Sequence, residues 1–256
     1  MQLGRNDEAL SLLEKAIKTH DDEYGEGHPG SIYSLINRAC AISRSGDYEQ
    51  AITHYLKAKE HILKRVGKDH DMYFKVMQHL GSVYKLMENY PEAEQCLREN
   101  LELQIARKND CTFEVAVLMR GLAGVLGRTH RLEEALPYAR RSLEIFKQVA
   151  APESMQAIVG RNVLIKINIA LGNLDEALAE LLEAIAIQSG LEGDPQELLE
   201  TFQDAALEIY QKQERWSEAE NFLASVLDHY QHSSPDNPLC AKYQEKLAEV
   251  QKMLGQ

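Results

Sequence analysis

Apolar residues along this chain recur at steps of three and four rather than two. Tyr48, Ala51, Ile52, Tyr55, Ala58 and Ile62 form one such stripe, and Leu35, Ala39 and Ile42 form another just before it. Met77, Leu80, Gly81 and Tyr84 repeat the second kind further on. This spacing places each set on one face of an α-helix, where burial against a neighbour stabilises it. Breaker segments separate the stripes: "GEGHPG", "GKDH", "RKND", "APES", "EGDP" and "SSPDNP", whose Gly, Pro, Asn and Asp favour turns. Alternating runs of Val, Ile and Thr are scarce, while Ala, Leu, Glu, Lys and Gln dominate. The expected fold is all-α.

The stripes obey a period. "GRNDEALSLLEKAI" (Gly4 to Ile17) and "GNLDEALAELLEAI" (Gly172 to Ile185) share one frame, and steps of 42 residues from Ala9 meet Ala51, Ala93, Ala135, Ala177 and Ala219. Three positions before each Ala stands Asn6, Tyr48, Tyr90, Leu132, Leu174 or Trp216, mostly large and apolar. Self-similarity at a fixed period, without insertions, marks a repeat array. Each repeat reads as two helices of roughly 16–20 residues with short turns. The expected organisation is a single array over residues 1–256. Residues 31–72, 73–114, 115–156, 157–198 and 199–233 read as complete helix pairs. Residues 1–30 hold the second helix of a truncated repeat and 234–256 a terminal helix. Because the missing first helix would leave an apolar face uncovered, the chain reads as part of a longer array.

The motif L-G-x-x-x-E-A-L-x-x-L-x-x-A-[IL] resembles the tetratricopeptide repeat. The usual repeat of that family is 34 residues, and the longer period here is similar to the subclass of kinesin light chains and nephrocystin-3. "GEGHPGSIYSLINRA" (Gly25 to Ala39) follows their G-x-x-H-P linker and helix start, with Asn37 at the second Asn of that pattern. "EEALPYARRSLEI" resembles another of their segments, including a Pro two residues after the signature Ala, which accounts for Pro137 inside an expected helix. The resemblance implies a right-handed superhelical solenoid of antiparallel helix pairs. It also implies protein or peptide partners. The chaperone-binding clamp of the family is matched only at Asn37 and Lys75, with His79 in place of an Arg, so that ligand class is disfavoured.

Composition narrows the function. A formal net charge of -12 argues against nucleic acid or anionic membranes as general partners. No run of 18 apolar residues occurs, and "MQLGRNDEAL" lacks a basic stretch followed by an apolar one. Neither membrane insertion nor a signal peptide is expected, and the cytoplasm is the default. Cys40, Cys96, Cys111 and Cys240 are scattered without a C-x-x-C pair, as free thiols in a reducing compartment would be. His54 and His61 lie seven apart without a third ligand, so no metal is expected. "GLAGVLG" lacks the G-K-[ST] ending of a phosphate loop and reads as close helix packing. No G-x-S-x-G and no Cys/His pairing within reach is evident. The chain is expected to be neither an enzyme nor a cofactor protein.

Binding should then lie on the first helices, which line the concave wall of such an array. Residues beside their packing face are Tyr33, Ile36, Cys40, Ser43 and Arg44, then Lys75, Gln78, Ser82, Lys85 and Leu86. Val117, Arg120, Gly124, Gly127 and Arg128 follow, then Val159, Asn162, Lys166, Ile169 and Ala170. From Arg44 to Lys166 the charged members are all cations, and the last pair switches to Asp204 and Glu208. The expected ligand-binding set is Tyr33, Asn37, Arg44, Lys75, Gln78, Lys85, Arg120, Arg128, Asn162 and Lys166. The expected function is an adaptor or scaffold whose basic groove takes an acidic or carboxylate-bearing peptide. The alternative is a regulatory sensor module of a larger effector protein, controlled by peptide binding.

Overall fold

A computed structural model describes residues 2–107, 110–190, 196–233 and 237–255, the side chains of 2–7, 196 and 233 excepted. Among the described residues the chain forms twelve α-helices and no strand. They are α1 (Gln2–Tyr24), α2 (Pro29–Arg44), α3 (Tyr48–Arg65), α4 (Asp71–Leu86), α5 (Tyr90–Arg107) and α6 (Phe113–Arg128). There follow α7 (Leu132–Val149), α8 (Met155–Leu171), α9 (Leu174–Ser189), α10 (Gln196–Lys212), α11 (Trp216–Ser233) and α12 (Pro238–Leu254). The helices gather into two compact units, Met1–Ala150 and Ala151–Gln256.

The repeated Ala is where helices meet most closely. Ala51, Ala93, Ala135, Ala177 and Ala219 are all fully buried, each one turn into a second-type helix that opens at Tyr48, Tyr90, Leu132, Leu174 or Trp216. Any larger side chain there would overpack the pair. Packing is also tight at Gly81, where a Cβ would meet Leu97 Cγ at 3.2 Å. Of the three glycines in the "GLAGVLG" segment only Gly121 is closely packed, since its Cβ would meet Leu97 Cδ2 at 3.3 Å. A Cβ on Gly124 or Gly127 would meet nothing within 4 Å.

Helix starts follow local chemistry. Asp47, Thr112 and Ser154 cap α3, α6 and α8 by accepting the amide N–H groups of Gln50, Val115 and Ala157. The His of the linker is itself a cap: His28 Nδ1 accepts from Gly30 N and His70 Nδ1 from Met72 N, both at 3.2 Å. Each first-type helix ends in a left-handed residue at the repeat period, namely Gly46, Glu88, His130, Gly172 and Glu214. α7 runs through Pro137 without a break.

In the N-terminal unit each helix packs on its sequence neighbours, and α2 also packs on α4, and α4 on α6. No comparable contact joins α3 to α5 or α5 to α7. The first-type helices therefore crowd together on one side and present a shared face there. In the C-terminal unit α8 to α12 pack successively around Phe202, Leu223, Tyr230 and Tyr243.

Candidate functional site

The shared face of α2, α4 and α6 carries eight residues of the expected binding set. Tyr33, Asn37 and Arg44 on α2, Lys75, Gln78 and Lys85 on α4, and Arg128 on α6 are exposed. Arg120 is half-buried, with its guanidinium 5.3 Å from the centre of the Phe146 ring. Lys75 Nζ lies 5.8 Å from the Tyr33 ring centre, joining α4 to α2. Leu86 is also exposed, so the face mixes apolar and cationic groups. Ile36 departs from expectation: it is buried in the core rather than beside it.

Charge on this face is unbalanced. Lys85 sits close enough to Arg120 and Arg128 that burial first, then those two cations, lower its pKa from the ordinary lysine value. Among the described residues, Arg44, Lys75, Lys85 and Arg128 have no carboxylate at salt-bridge distance. Several other cations of the unit are matched. Lys68 reaches Glu99 at 2.7 Å, Arg98 bonds Glu94 and Glu134, Arg131 bridges the same two carboxylates, and Arg141 binds Asp110. On this acidic chain four cations of one face thus stand without a carboxylate partner, although Asp71 and Glu114 border the same face.

A cleft of ≈ 220 Å³ opens beside this face, between Phe74, Lys75 and Gln78 of α4, Gln104 of α5 and Leu118 of α6. Asn100 also lines it; its Nδ2 donates to the Phe74 carbonyl at 2.9 Å, while its Oδ1 and Gln104 Oε1 are buried without a hydrogen bond. Two unsatisfied acceptors in a cleft suit an N–H donor or a water.

In the C-terminal unit Asn162 is half-buried and Lys166 exposed, both on α8. Directly before Asn162, Arg161 is fully buried at a packing position held by Leu35, Met77 and Met119 in the earlier repeats. Its guanidinium donates to Glu180 at 2.6 Å and to Glu183 at 2.7 Å, both on α9. Asp204, expected on the binding face, is held internally by Lys242 at 2.6 Å and Lys246 at 2.8 Å from α12. Burial raises its pKa, but hydrogen bonds from the two ammonium groups outweigh that and leave it below the usual aspartate range.

One contact contradicts the expectation that no Cys and His pair. Cys40 Sγ on α2 lies 3.7 Å from His79 Nε2 on α4, and Tyr55 Oη on α3 donates to the same sulfur at 3.0 Å. The residues are 39 positions apart, nearly one repeat, so the pairing depends on how adjacent repeats pack.

A profile of the tetratricopeptide repeat matches residues 1–58, 41–106 and 114–189, well over half of the chain. The chain belongs to the tetratricopeptide repeat family. Two relatives are the RxLR effector protein SFI4 of Phytophthora infestans and the secreted RxLR effector protein RXLR-C07 of Plasmopara halstedii. They are 27% and 25% identical, over 74% and 73% of this chain. The matched region spans 56% and 58% of those proteins, little more than half of their length. A crystal structure of Podosopora anserina putative kinesin light chain repeats superposes with a TM-score of 0.64 at 20% identity. It covers 73% of this chain and 89% of that one. The 42-residue tetratricopeptide units thus resemble kinesin light chain repeats in fold. The stacked helix pairs are a protein-interaction scaffold, and among the described residues no helix is long and apolar enough to cross a membrane.

Proposed function

We propose that this chain is a non-enzymatic scaffold that binds an acidic or carboxylate-bearing peptide across the exposed face of α2, α4 and α6. The observation that carries the reading is the set Arg44, Lys75, Lys85 and Arg128, cations without carboxylate partners among the described residues of a chain with net charge -12. Cations held near one another repel, and an incoming carboxylate replaces that repulsion with charge-assisted hydrogen bonds worth up to about 1 kcal/mol each on exposed side chains. Tyr33 and Leu86 offer apolar contact, while Asn37 and Gln78 offer amides for the peptide backbone. Asn162 and Lys166 give the C-terminal unit a smaller surface of the same kind. The net negative charge supports a protein partner over nucleic acid.

A labelled oligoglutamate peptide serves as probe, read by fluorescence anisotropy against a neutral peptide of equal length. Oligoglutamate is expected to bind in a salt-sensitive way, and Lys75→Glu, Lys85→Glu and Arg128→Glu together should weaken it roughly a hundredfold at about 1 kcal/mol per lost pair. Equal affinity for the triple variant, with helicity retained, would refute the basic-face reading. A cytoplasmic setting is part of the proposal, supported by cysteines that form no disulfide among the described residues. The Plasmopara halstedii relative is named a secreted protein, so secretion of a tagged chain into the medium is the result that would overturn that part.

A further inference from the structure

The geometry points to Cys40 as a nucleophilic thiol that exchanges with anionic low-molecular-weight disulfides, of which glutathione disulfide is the representative. Cys40 is half-buried rather than sealed. The sulfur is held between a donor and an acceptor. Tyr55 Oη donates to Sγ at 3.0 Å, where it stabilises negative charge on sulfur. His79 Nε2 stands 3.7 Å away, and the imidazole stacks on the Tyr55 ring at 5.4 Å with 10° between the planes, which fixes its orientation. Burial first, then the Lys75 and Arg44 cations, hold the His79 pKa below the ordinary value, so the ring is neutral at pH 7 and can accept a proton. The same two cations supply a local field that attracts the carboxylates of glutathione.

The exchange balances without a further reagent. The Cys40 proton passes to His79 Nε2 as the sulfur attacks one sulfur of the disulfide. A new S–S bond joins Cys40 to one glutathionyl group while the original S–S bond breaks. The departing glutathione thiolate takes up the proton, so Cys40 is oxidised and half of the disulfide is reduced to thiol. Cys96 and Cys240 lack this setting. Cys96 is buried and its thiol is pushed up to about 11 by that burial. Cys240 is buried. Cys111 is half-exposed, but its thiol donates to Gln148 Oε1 at 3.1 Å.

The full chain, incubated with glutathione disulfide at low salt, provides the test by peptide mapping of mixed-disulfide formation over time. Cys111 is an internal control in the same molecule. With a hydrogen-bond donor and a base at its sulfur, Cys40 is expected to react about tenfold faster than Cys111. His79→Gln should bring Cys40 down to the Cys111 rate with any disulfide. Lys75→Glu, on an exposed side chain, should slow the reaction with glutathione disulfide severalfold while leaving that with cationic cystamine undiminished. A merely structural disturbance would slow both reagents alike. The proposal is overturned if unmodified chain shows Cys40 no faster than Cys111, a comparison that needs no variant. It is equally overturned if Lys75→Glu fails to separate the two disulfides.

Discussion

The same substitution, Gly to Ala, should move stability in opposite directions at two kinds of site in the N-terminal unit. Gly46 ends α2 with φ +92, and Gly124 and Gly127 lie inside α6. At all three, an added Cβ meets nothing within 4 Å, so packing cancels and only backbone conformation differs. An L-residue in the left-handed region costs about 1–2 kcal/mol, against which Ala gains about 0.4–1 kcal/mol by restricting the unfolded chain. Gly46→Ala is therefore expected to destabilise by roughly 0.5–1.5 kcal/mol. In the helix interior no such strain arises, and Gly124→Ala or Gly127→Ala should stabilise by about 0.5–1 kcal/mol each. The converse holds where the repeat places an L-residue in this turn. Glu88, His130 and Glu214 have φ of 58, 59 and 56, and Gly at each should be neutral or stabilising by up to about 1 kcal/mol. Urea unfolding followed by far-UV circular dichroism reads these changes. Because the chain has two compact units, coincidence with a tertiary probe must accompany each midpoint. Near 1 kcal/mol, melting shifts of about 2–4 °C are expected. A midpoint that moves in the same direction for Gly46→Ala and Gly124→Ala refutes the reasoning.

Three further outcomes follow from buried polar groups. Arg161→Met places an apolar chain where earlier repeats have Leu35, Met77 and Met119, and leaves Glu180 and Glu183 to hydrate; melting should show it neutral or stabilising, while Arg161→Ala costs about 3 kcal/mol or more through the cavity and lost bonds. The Asp204 pKa is depressed in the folded state, so its stabilising effect is full above the ordinary aspartate value of about 3.9 and is lost as pH falls through the lower folded value; acid titration of Lys242→Met should show a smaller loss over that window. Asn100→Ala gives up one hydrogen bond to the Phe74 carbonyl but also removes a buried carbonyl without a partner, so urea midpoints should place the net change within about 1 kcal/mol.

What the sequence makes legible, and what it hides, separates by the range of the interaction. The signature Ala, the large residue before it and the turn after each first helix are set by contacts within one repeat, so period and amphipathic spacing locate them. The first-type helices and most of their exposed cations follow from the same register. Contacts between repeats escape this logic. Whether Ile36 turns into the core, whether Arg161 is buried by two α9 carboxylates and whether Cys40 meets His79 depend on the angle between successive helix pairs, which no local pattern encodes. Asp204 makes the point most sharply. Its helical position is the one expected of a ligand-facing residue, yet α12 supplies two ammonium groups that occupy it. Arg44 on α2 and Lys75 and Lys85 on α4 differ because neighbouring helices bring no carboxylate to salt-bridge distance of them among the described residues. A charge on a first helix is therefore evidence for a ligand only after the next helix has failed to neutralise it. By that criterion the face of α2, α4 and α6 qualifies, and Asp204 does not.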